Sequence, residues 1–306
     1  MSKYLSIFTV ILLVGMAEPA PAEDAAANSP SFPAYKHPVM TWVPPYAIGK
    51  CKARLNESFD GITMADGLTH LGLQFWTPTQ TGGVAYAGKN DGPSDAVVSE
   101  LVQWGHAHGV RVLLCVYNGS HGWDWNLARS AFGSHRDEFV EALVNEANRL
   151  HLDGVDIDLE GDGSFEKDKG PFLDFMRPLS AKLHAQGKHL TVDSFSHIWN
   201  APNAQWWPEL LPLVDGLTTM GYEEIGAKAP EWKSYAAQKA TAGEYAARFM
   251  FGMPAHKDSW HGNTAMEQLK WVVDDGGTGV SMWDAQLNGA WSKNEIWKSL
   301  GQIRGR

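Results

Sequence analysis

The chain has 306 residues, of which 44% are hydrophobic and 20% are charged, a composition typical of a folded protein with a sizeable core. The formal net charge is −10 and no basic run stands out, which argues against nucleic acid as a partner. Two cysteines are too few for a disulfide scaffold or an all-cysteine metal site. The 14 tryptophans either pack in a core or offer flat apolar faces to a ligand.

The start of the chain has the pattern of a secretory signal peptide. A short positive segment precedes the apolar run Tyr4–Met16, and the small residues at 20–22 resemble a cleavage site. The apolar run is shorter than the roughly 20 residues that span a bilayer, so we expect no stable membrane insertion. We predict a signal peptide over 1–22, a flexible lead-in over 23–37 and a folded domain over 38–306. The protein is then secreted or periplasmic.

Export would permit a disulfide between Cys51 and Cys115. Cys115, however, lies in an apolar run typical of a buried strand, where a free thiol packs as a small hydrophobic side chain. The sequence leaves both states open.

Beyond the lead-in, short apolar runs alternate with helical patterns up to the C-terminus. This alternation predicts a parallel sheet, because neighbouring parallel strands need a crossover. Eight such units fit the α/β class and a single (β/α)8 TIM barrel, whereas a doubly wound sheet would lack its usual G-x-G-x-x-G turn here. The connection between the last two strands is too short for a large α+β insertion. The predicted strands are Val39–Val43, Leu68–Trp76, Val110–Tyr117, Gly154–Leu159, Leu190–Phe195, Gly216–Tyr222, Phe249–Pro254 and Gly279–Trp283.

The fourth predicted strand carries three acids on one face. Alternation along the strand directs Asp156, Asp158 and Glu160 into the barrel and the apolar residues between them outward. Crowded carboxylates cannot all ionise, so at least one retains its proton. Glu160 lies nearest the C-terminal end of the strand, where barrel active sites lie. It is therefore the candidate general acid for hydrolysis of a glycosidic bond.

Two other interpretations of the three acids remain open. They could pair with cations from other strands, for which the predicted strands offer Arg111 and Arg248. They could also bind a hard metal ion, but the neighbouring strands supply few further oxygen ligands in a pattern. We expect no metal and no other cofactor.

The stretch Asp153–Glu160, DGVDIDLE, matches the D-x-x-D-x-D-x-E signature of glycoside hydrolase family 18, the chitinase-like enzymes. The resemblance extends along the chain: Met220–Glu223 is similar to the M-x-Y-[DN] motif of the sixth strand, and Gly279–Trp283 to the G-x-x-x-W motif of the eighth. Trp42 falls where the family has an aromatic residue at the end of the first strand. The resemblance implies a TIM barrel that hydrolyses O-glycosyl bonds.

The resemblance also implies a mechanism in which the 2-acetamido oxygen of the substrate is the nucleophile. By this analogy Glu160 protonates the glycosidic oxygen and later activates water. Asp158 orients the acetamide, and Asp156 shares its proton and charge. Tyr222 hydrogen-bonds the acetamido oxygen.

A second set of residues is implied in substrate binding. Trp283 would form the floor under a sugar ring, and Met220 would line the same pocket. Trp123 and Trp125 follow the third strand; they either stack against flanking sugars or pack their own loop. The implied binding residues are Trp283, Met220, Trp42, Glu223 and Trp123.

The family pattern is broken in two places that concern the substrate. Cys115–Asn118 replaces the family's S-x-G-G, so bulk replaces glycine near the acetamide pocket, and Glu223 stands where chitinases have Asp or Asn. The resemblance implies a monomer that hydrolyses chitin or chito-oligosaccharides, which contain N-acetylglucosamine. The alternatives are an endo-β-N-acetylglucosaminidase acting on peptidoglycan or N-glycans, and a non-catalytic, lectin-like barrel.

Overall fold

The barrel wall is a closed sheet of parallel strands. The computed structural model describes residues 31–88, 92–119, 122–220, 231–257, 259–260, 262–291 and 293–305. Within these ranges eight parallel strands pair in chain order, and the first pairs with both the second and the last, which closes the ring. The strands are Val39–Val43 (β1), His70–Pro78 (β2), Arg111–Tyr117 (β3), Gly154–Asp158 (β4), His189–Ser194 (β5), Gly216–Thr219 (β6), Phe249–Pro254 (β7) and Gly279–Trp283 (β8).

The predicted strands and the predicted barrel are confirmed, with small shifts at the ends of strands. β2 begins at His70 rather than at Leu68, because the backbone N–H of Leu68 donates to Met64 O and caps a short helix instead of joining the sheet. The predicted end of the sixth strand, Tyr222, lies outside the described residues. Between β7 and β8 the described residues form only a short antiparallel pair and one helix, as the short connection predicted.

Helices follow the strands on the outside of the barrel. The helix Asp95–His108 is capped at its C-terminal end by Gly109. The φ of Gly109 is 65°, a left-handed conformation that would strain any residue with a side chain. None of the helices in the described ranges is long and apolar enough to cross a bilayer. The longer helices are Ile48–Leu55 (α1), Asp95–His108 (α2), Arg136–Arg149 (α3), Lys169–His184 (α4), Glu231–Ala242 (α5), Ala265–Asp275 (α6) and Asn294–Arg304 (α7), and the short ones are Met64–Gly67, Trp125–Arg129 and Trp207–Leu210.

Two layers of apolar side chains hold the strands in place. The outward-facing strand residues pack under the helices in one large core, and a smaller cluster, which includes Met40, Leu113 and Met250, lies inside the barrel. Cys115 belongs to the inner cluster and Cys51 to the outer core. Both are buried free thiols, so the two cysteines are not linked.

The last residues of the predicted lead-in contact the N-terminal end of the barrel. The backbone N–H of Lys36 donates to Arg304 O at 2.6 Å. The ring of Tyr35 lies 5.6 Å from that of His70, at the start of β2. One backbone hydrogen bond and one ring contact form this attachment, so no periodic pattern in the sequence marks it. The predicted signal peptide lies outside the described residues and stays a prediction.

Candidate active site

Strand β4 carries the acids to the C-terminal end of the barrel. Val155 and Ile157 are buried in the outer core, while Asp156 and Asp158 face inward and are almost fully buried. The predicted alternation of faces is therefore confirmed. Glu160 follows the strand and is partly accessible from the cavity above it.

Asp156 is the deepest of the three acids and is held by donors on both oxygens. Trp42 Nε1 donates to Asp156 Oδ2 at 2.8 Å, and Thr191 Oγ1 donates to Asp156 Oδ1 at 2.5 Å. Burial raises the pKa of Asp156, and these hydrogen bonds oppose the rise. Gly72 makes room for the indole, because a Cβ at Gly72 would lie 2.5 Å from Trp42 Cδ1. Both donors favour the carboxylate form of Asp156.

Asp158 and Glu160 form a coupled pair above Asp156. Gln74 Nε2 donates to Asp158 Oδ2 at 2.7 Å. Burial and the charge of Glu160 raise the pKa of Asp158 well above its usual range. Burial also raises the pKa of Glu160 to about 7, and a hydrogen bond with Asp158 opposes that rise. The pair therefore holds a proton at neutral pH.

Asn118 fixes the backbone of Glu160 from the end of β3. Asn118 Nδ2 donates to Glu160 O at 2.8 Å, and the Glu160 N–H donates to Asn118 Oδ1 at 2.8 Å. Asn118 is buried, so this double hydrogen bond is shielded from water. The sequence placed Asn118 only as a departure from the family pattern and did not predict this contact.

The cations of the strands do not neutralise the acids. Arg111 lies at the N-terminal start of β3 with its guanidinium 4.4 Å from the ring of Phe32. Arg248, just before β7, donates to Val214 O at 3.1 Å. The interpretation of the three acids as structural ion pairs is therefore wrong.

A cavity of about 460 Å³ opens above the acids. The indole rings of Trp42 and Trp283 lie side by side in its wall, with centroids 6.0 Å apart and planes at 45°. The side chain of Trp123 is 47% exposed at its rim. The predicted residues that line the cavity are Trp42, Trp123, Asp158, Glu160, Met220 and Trp283; the others are Tyr46, Gln74, Asp193, Phe195, His256, Asp284 and Gln286.

Tyr222, Glu223 and Trp125 complete the set of predicted residues. Tyr222 and Glu223 fall outside the described residues. Trp125 is buried under its own loop, where its Nε1 donates to Asp168 Oδ2 at 2.8 Å and its ring stacks on Phe165 at 5.2 Å. Trp125 is therefore a packing residue, and the prediction that it stacks against sugars is wrong.

The sequence missed Asp193, a further carboxyl in the cavity. Asp193 lies on β5 two residues beyond Thr191, so both face the barrel interior. Burial, followed by repulsion from Asp156, Asp158 and Glu160, raises the pKa of Asp193 well above its usual range. An acid within the otherwise apolar and hydroxylic fifth strand was the signal that could have identified it.

One group of side chains could in principle hold a metal ion. Cys115, Asp158 and Asp193 each place a ligand atom within 4.8 Å of the other two. Burial and the surrounding carboxylates raise the pKa of the Cys115 thiol well above its usual range, and a metal binds the thiolate rather than the thiol. The protonation of this group therefore suits hydrogen bonding better than metal binding.

Similarity to solved structures extends over most of the chain. A chitinase from Chromobacterium violaceum superposes with a TM-score of 0.67 at 18% identity, covering 88% of this chain and 99% of that one. A chitinase from Bacteroides thetaiotaomicron gives 0.64 at 14% identity, covering 88% and 96%. The spore cortex-lytic enzyme SleL of Bacillus cereus gives 0.64 at 10% identity, covering 90% and 76%. At these identities the likeness shows the fold.

Sequence comparison identifies the family. A search of curated proteins finds no match. The family model described as "Glycosyl hydrolases family 18" matches residues 46–303, which include the strand with its acids and every residue that lines the cavity except Trp42. The chain thus belongs to glycosyl hydrolase family 18 and is a glycoside hydrolase.

Proposed function

We propose that the protein is an exported enzyme that cleaves β-1,4-linked N-acetylglucosamine polymers of the chitin type by a retaining, substrate-assisted mechanism. The observation that carries the proposal is the Asp158–Glu160 pair in the cavity. With a pKa of about 7, Glu160 retains a proton at neutral pH that it can give to a leaving oxygen. An isolated glutamate would already have lost that proton.

The contact between Asp158 and Glu160 favours a nucleophile supplied by the substrate. Enzymes that use two carboxyl groups place them on opposite sides of the scissile bond, about 5 Å or more apart. Asp158 and Glu160 instead hydrogen-bond each other. Asp158 and Glu160 are therefore too close together for one to attack C1 of the sugar while the other protonates the glycosidic oxygen from the opposite side.

Each group then has one task in the reaction. The Glu160 carboxyl gives its proton to the glycosidic oxygen as the C1–O bond breaks, and the 2-acetamido oxygen forms the new bond to C1. When the proton of the pair lies on Glu160, the Asp158 carboxylate, held by Gln74, accepts the acetamide N–H and stabilises the positive charge that develops there. Glu160, now a carboxylate, takes a proton from the water that opens the oxazolinium ring. Asn118 keeps Glu160 in place throughout.

The walls of the cavity suit a pyranose with apolar faces. Trp42 and Trp283 supply two indole rings beside the acids, and Trp123 extends the aromatic surface to the rim. The net charge of −10 favours a neutral polymer over an anionic one such as peptidoglycan. Together these features favour chitin or chito-oligosaccharides.

Product analysis on three substrates tests the proposal. We expect hydrolysis of N-acetylglucosamine oligomers, weaker or no cleavage of peptidoglycan and N-glycan cores, and inhibition by a thiazoline analogue of the intermediate. Nuclear magnetic resonance of the first products should show the β-anomer. First products in the α-configuration would contradict the substrate-assisted mechanism, and no turnover of any N-acetylglucosamine polymer would contradict the function.

Export follows from the pattern of residues 1–22 and is part of the same proposal. We expect the mature protein to be found outside the cytoplasm with its N-terminus close to Glu23. N-terminal sequencing of the protein purified from the periplasm or the medium checks this. Recovery of the intact chain from the cytoplasm alone would contradict it.

A further inference from the structure

Asp193 lines the cavity and has one carboxyl oxygen without a hydrogen-bond partner among the described residues. Its side chain is 3% exposed and lines the cavity. Ile157 of β4 pairs with Val192 of β5, so the next residues along the two strands, Asp158 and Asp193, lie at the same level. Among the described residues Asp193 Oδ1 has no hydrogen-bond partner. A buried polar atom left unpaired is costly, which suggests that a ligand completes the site.

The neighbouring carboxyls Asp156 and Asp158 accept hydrogen bonds from other side chains of the protein. Asp156 accepts from Trp42 and Thr191 on its two oxygens. Asp158 accepts from Gln74 on Oδ2, and its Oδ1, which has no donor among the described residues, is the oxygen that the proposed mechanism gives to the acetamide N–H. Asp156 therefore needs no group from a sugar, and the acetamide N–H completes the hydrogen bonds of Asp158. Asp193 differs from both, because Thr218 hydrogen-bonds its carboxyl but neither the described residues nor the proposed mechanism supply a partner for Oδ1.

We propose that Asp193 binds the sugar in the cavity as a neutral carboxylic acid, donating a hydrogen bond from its free oxygen to an acceptor oxygen of an uncharged N-acetylglucosamine unit. This inference rests on the proposed function and adds to it a specificity-determining residue. Glu160 gives its proton to the glycosidic oxygen and Asp158 accepts from the acetamide, so Asp193 supplies a second donor that stays in place during the reaction.

The surroundings of Asp193 keep its proton in place. Cys115 faces it from β3, Asp156 and Asp158 face it from β4, Glu160 faces it from the segment after β4, and Thr218 from β6 does not titrate. Burial and these acids raise the pKa of Asp193 well above its usual range. The carboxyl is thus a donor at neutral pH and becomes an acceptor only at higher pH.

Oligomer binding in a Glu160→Gln background tests this role, because that background removes both hydrolysis and the titration of Glu160. Calorimetry with a chito-oligosaccharide is compared for Glu160→Gln alone and combined with Asp193→Asn or Asp193→Val. The Asn amide retains a donor, so we expect its Kd to stay within about threefold. The Val side chain removes the donor, and we expect Kd to rise roughly 10-fold or more. Asp193→Ala replaces Asp193→Val if the Val variant does not fold.

The dependence of binding on pH separates a sugar contact from a merely structural role. With Asp193 present, binding should weaken as pH rises and the carboxyl loses its proton. With Asp193→Asn the pH dependence should be reduced. Equal affinity in the Val variant would overturn the proposal, as would Asn binding as poorly as Val or affinity that strengthens with pH. Failure of the Glu160→Gln parent to bind any oligomer would instead contradict the proposed function.

Discussion

Buried acids have different partners at the two ends of the barrel. At the N-terminal end, Asp153 accepts from His106 Nε2 at 2.9 Å and from the Val112 N–H at 2.8 Å. At the C-terminal end, Asp158 and Glu160 face each other across a hydrogen bond with an open cavity above them. All three acids belong to one eight-residue signature. Position along a single strand therefore separates an acid that stabilises the fold from acids that can perform chemistry.

The difference shows how a barrel divides stability from function. Burial raises the pKa of acids at both ends, but at the N-terminal end His106 and a backbone amide oppose the rise. At the C-terminal end burial raises the pKa of Glu160, and at Asp158 the charge of Glu160 adds to the effect of burial, so the pair retains a proton. Such crowding weakens the fold and is expected at a site that needs a general acid.

The largest effect should come from removing the acid at the C-terminal end. Glu160→Gln removes the transferable proton while preserving size, and we expect kcat to fall by about 10³-fold or more with oligomer binding retained. The matched control is Glu166→Gln, at an exposed residue in the following loop, which should leave kcat unchanged. Steady-state kinetics on a chito-oligosaccharide measures both. Turnover by Glu160→Gln close to that of the wild type would contradict the assignment of the acid.

Substituting one acid at each end tests the comparison itself. Asp158→Asn should lower kcat by about 10²-fold with little loss of stability. Asp153→Ala should leave the Val112 N–H unpaired and lower the free energy of unfolding by roughly 1–3 kcal/mol, with kcat per folded molecule unchanged. Denaturant unfolding and kinetics on the same preparations separate the two outcomes. If both variants lost activity and neither lost stability, the distinction between a stabilising acid at the N-terminal end and a catalytic acid at the C-terminal end would be wrong.

The pH dependence of stability should reveal the raised pKa of the buried Glu160. The pKa of Glu160 rises from 4.5 in a model peptide to about 7 in the fold. Between these values the unfolded chain releases a proton that the folded protein keeps, so this group lowers stability as pH rises. The free energy of unfolding of Glu160→Gln minus that of the wild type should therefore be up to about 3 kcal/mol larger at pH 8 than at pH 4. A difference that does not change with pH would show that Glu160 is not perturbed.

The smallest effect is expected at the rim. Trp123→Ala removes a half-exposed indole and should raise the KM of long oligomers a few-fold, roughly the loss of 1 kcal/mol of stacking. The shortest substrate that is cleaved serves as the control, because it would not reach the rim. A KM that rises equally for short and long substrates would show that Trp123 acts on the cavity itself.

The sequence predicted what repeats along the chain and missed what depends on contacts across it. The eight strands and the inward acids follow from periodicity, and Trp42, Met220 and Trp283 were found through their motifs. Asn118, Gln74 and Asp193 act through hydrogen bonds or proximity to β4, and no local pattern shows which distant residues the barrel brings beside one strand. Trp125 was misjudged for the same reason, since its burial depends on Phe165 and Asp168.

The central claim is that burial makes Glu160 an acid at neutral pH, and the dependence of kcat/KM on pH tests it most directly. Hydrolysis requires the protonated carboxyl, so activity should fall as pH rises through about 7, the pKa of Glu160. A descending limb near 7 is the predicted result. A descending limb near 4.5, the value of an unperturbed glutamate, would contradict the account.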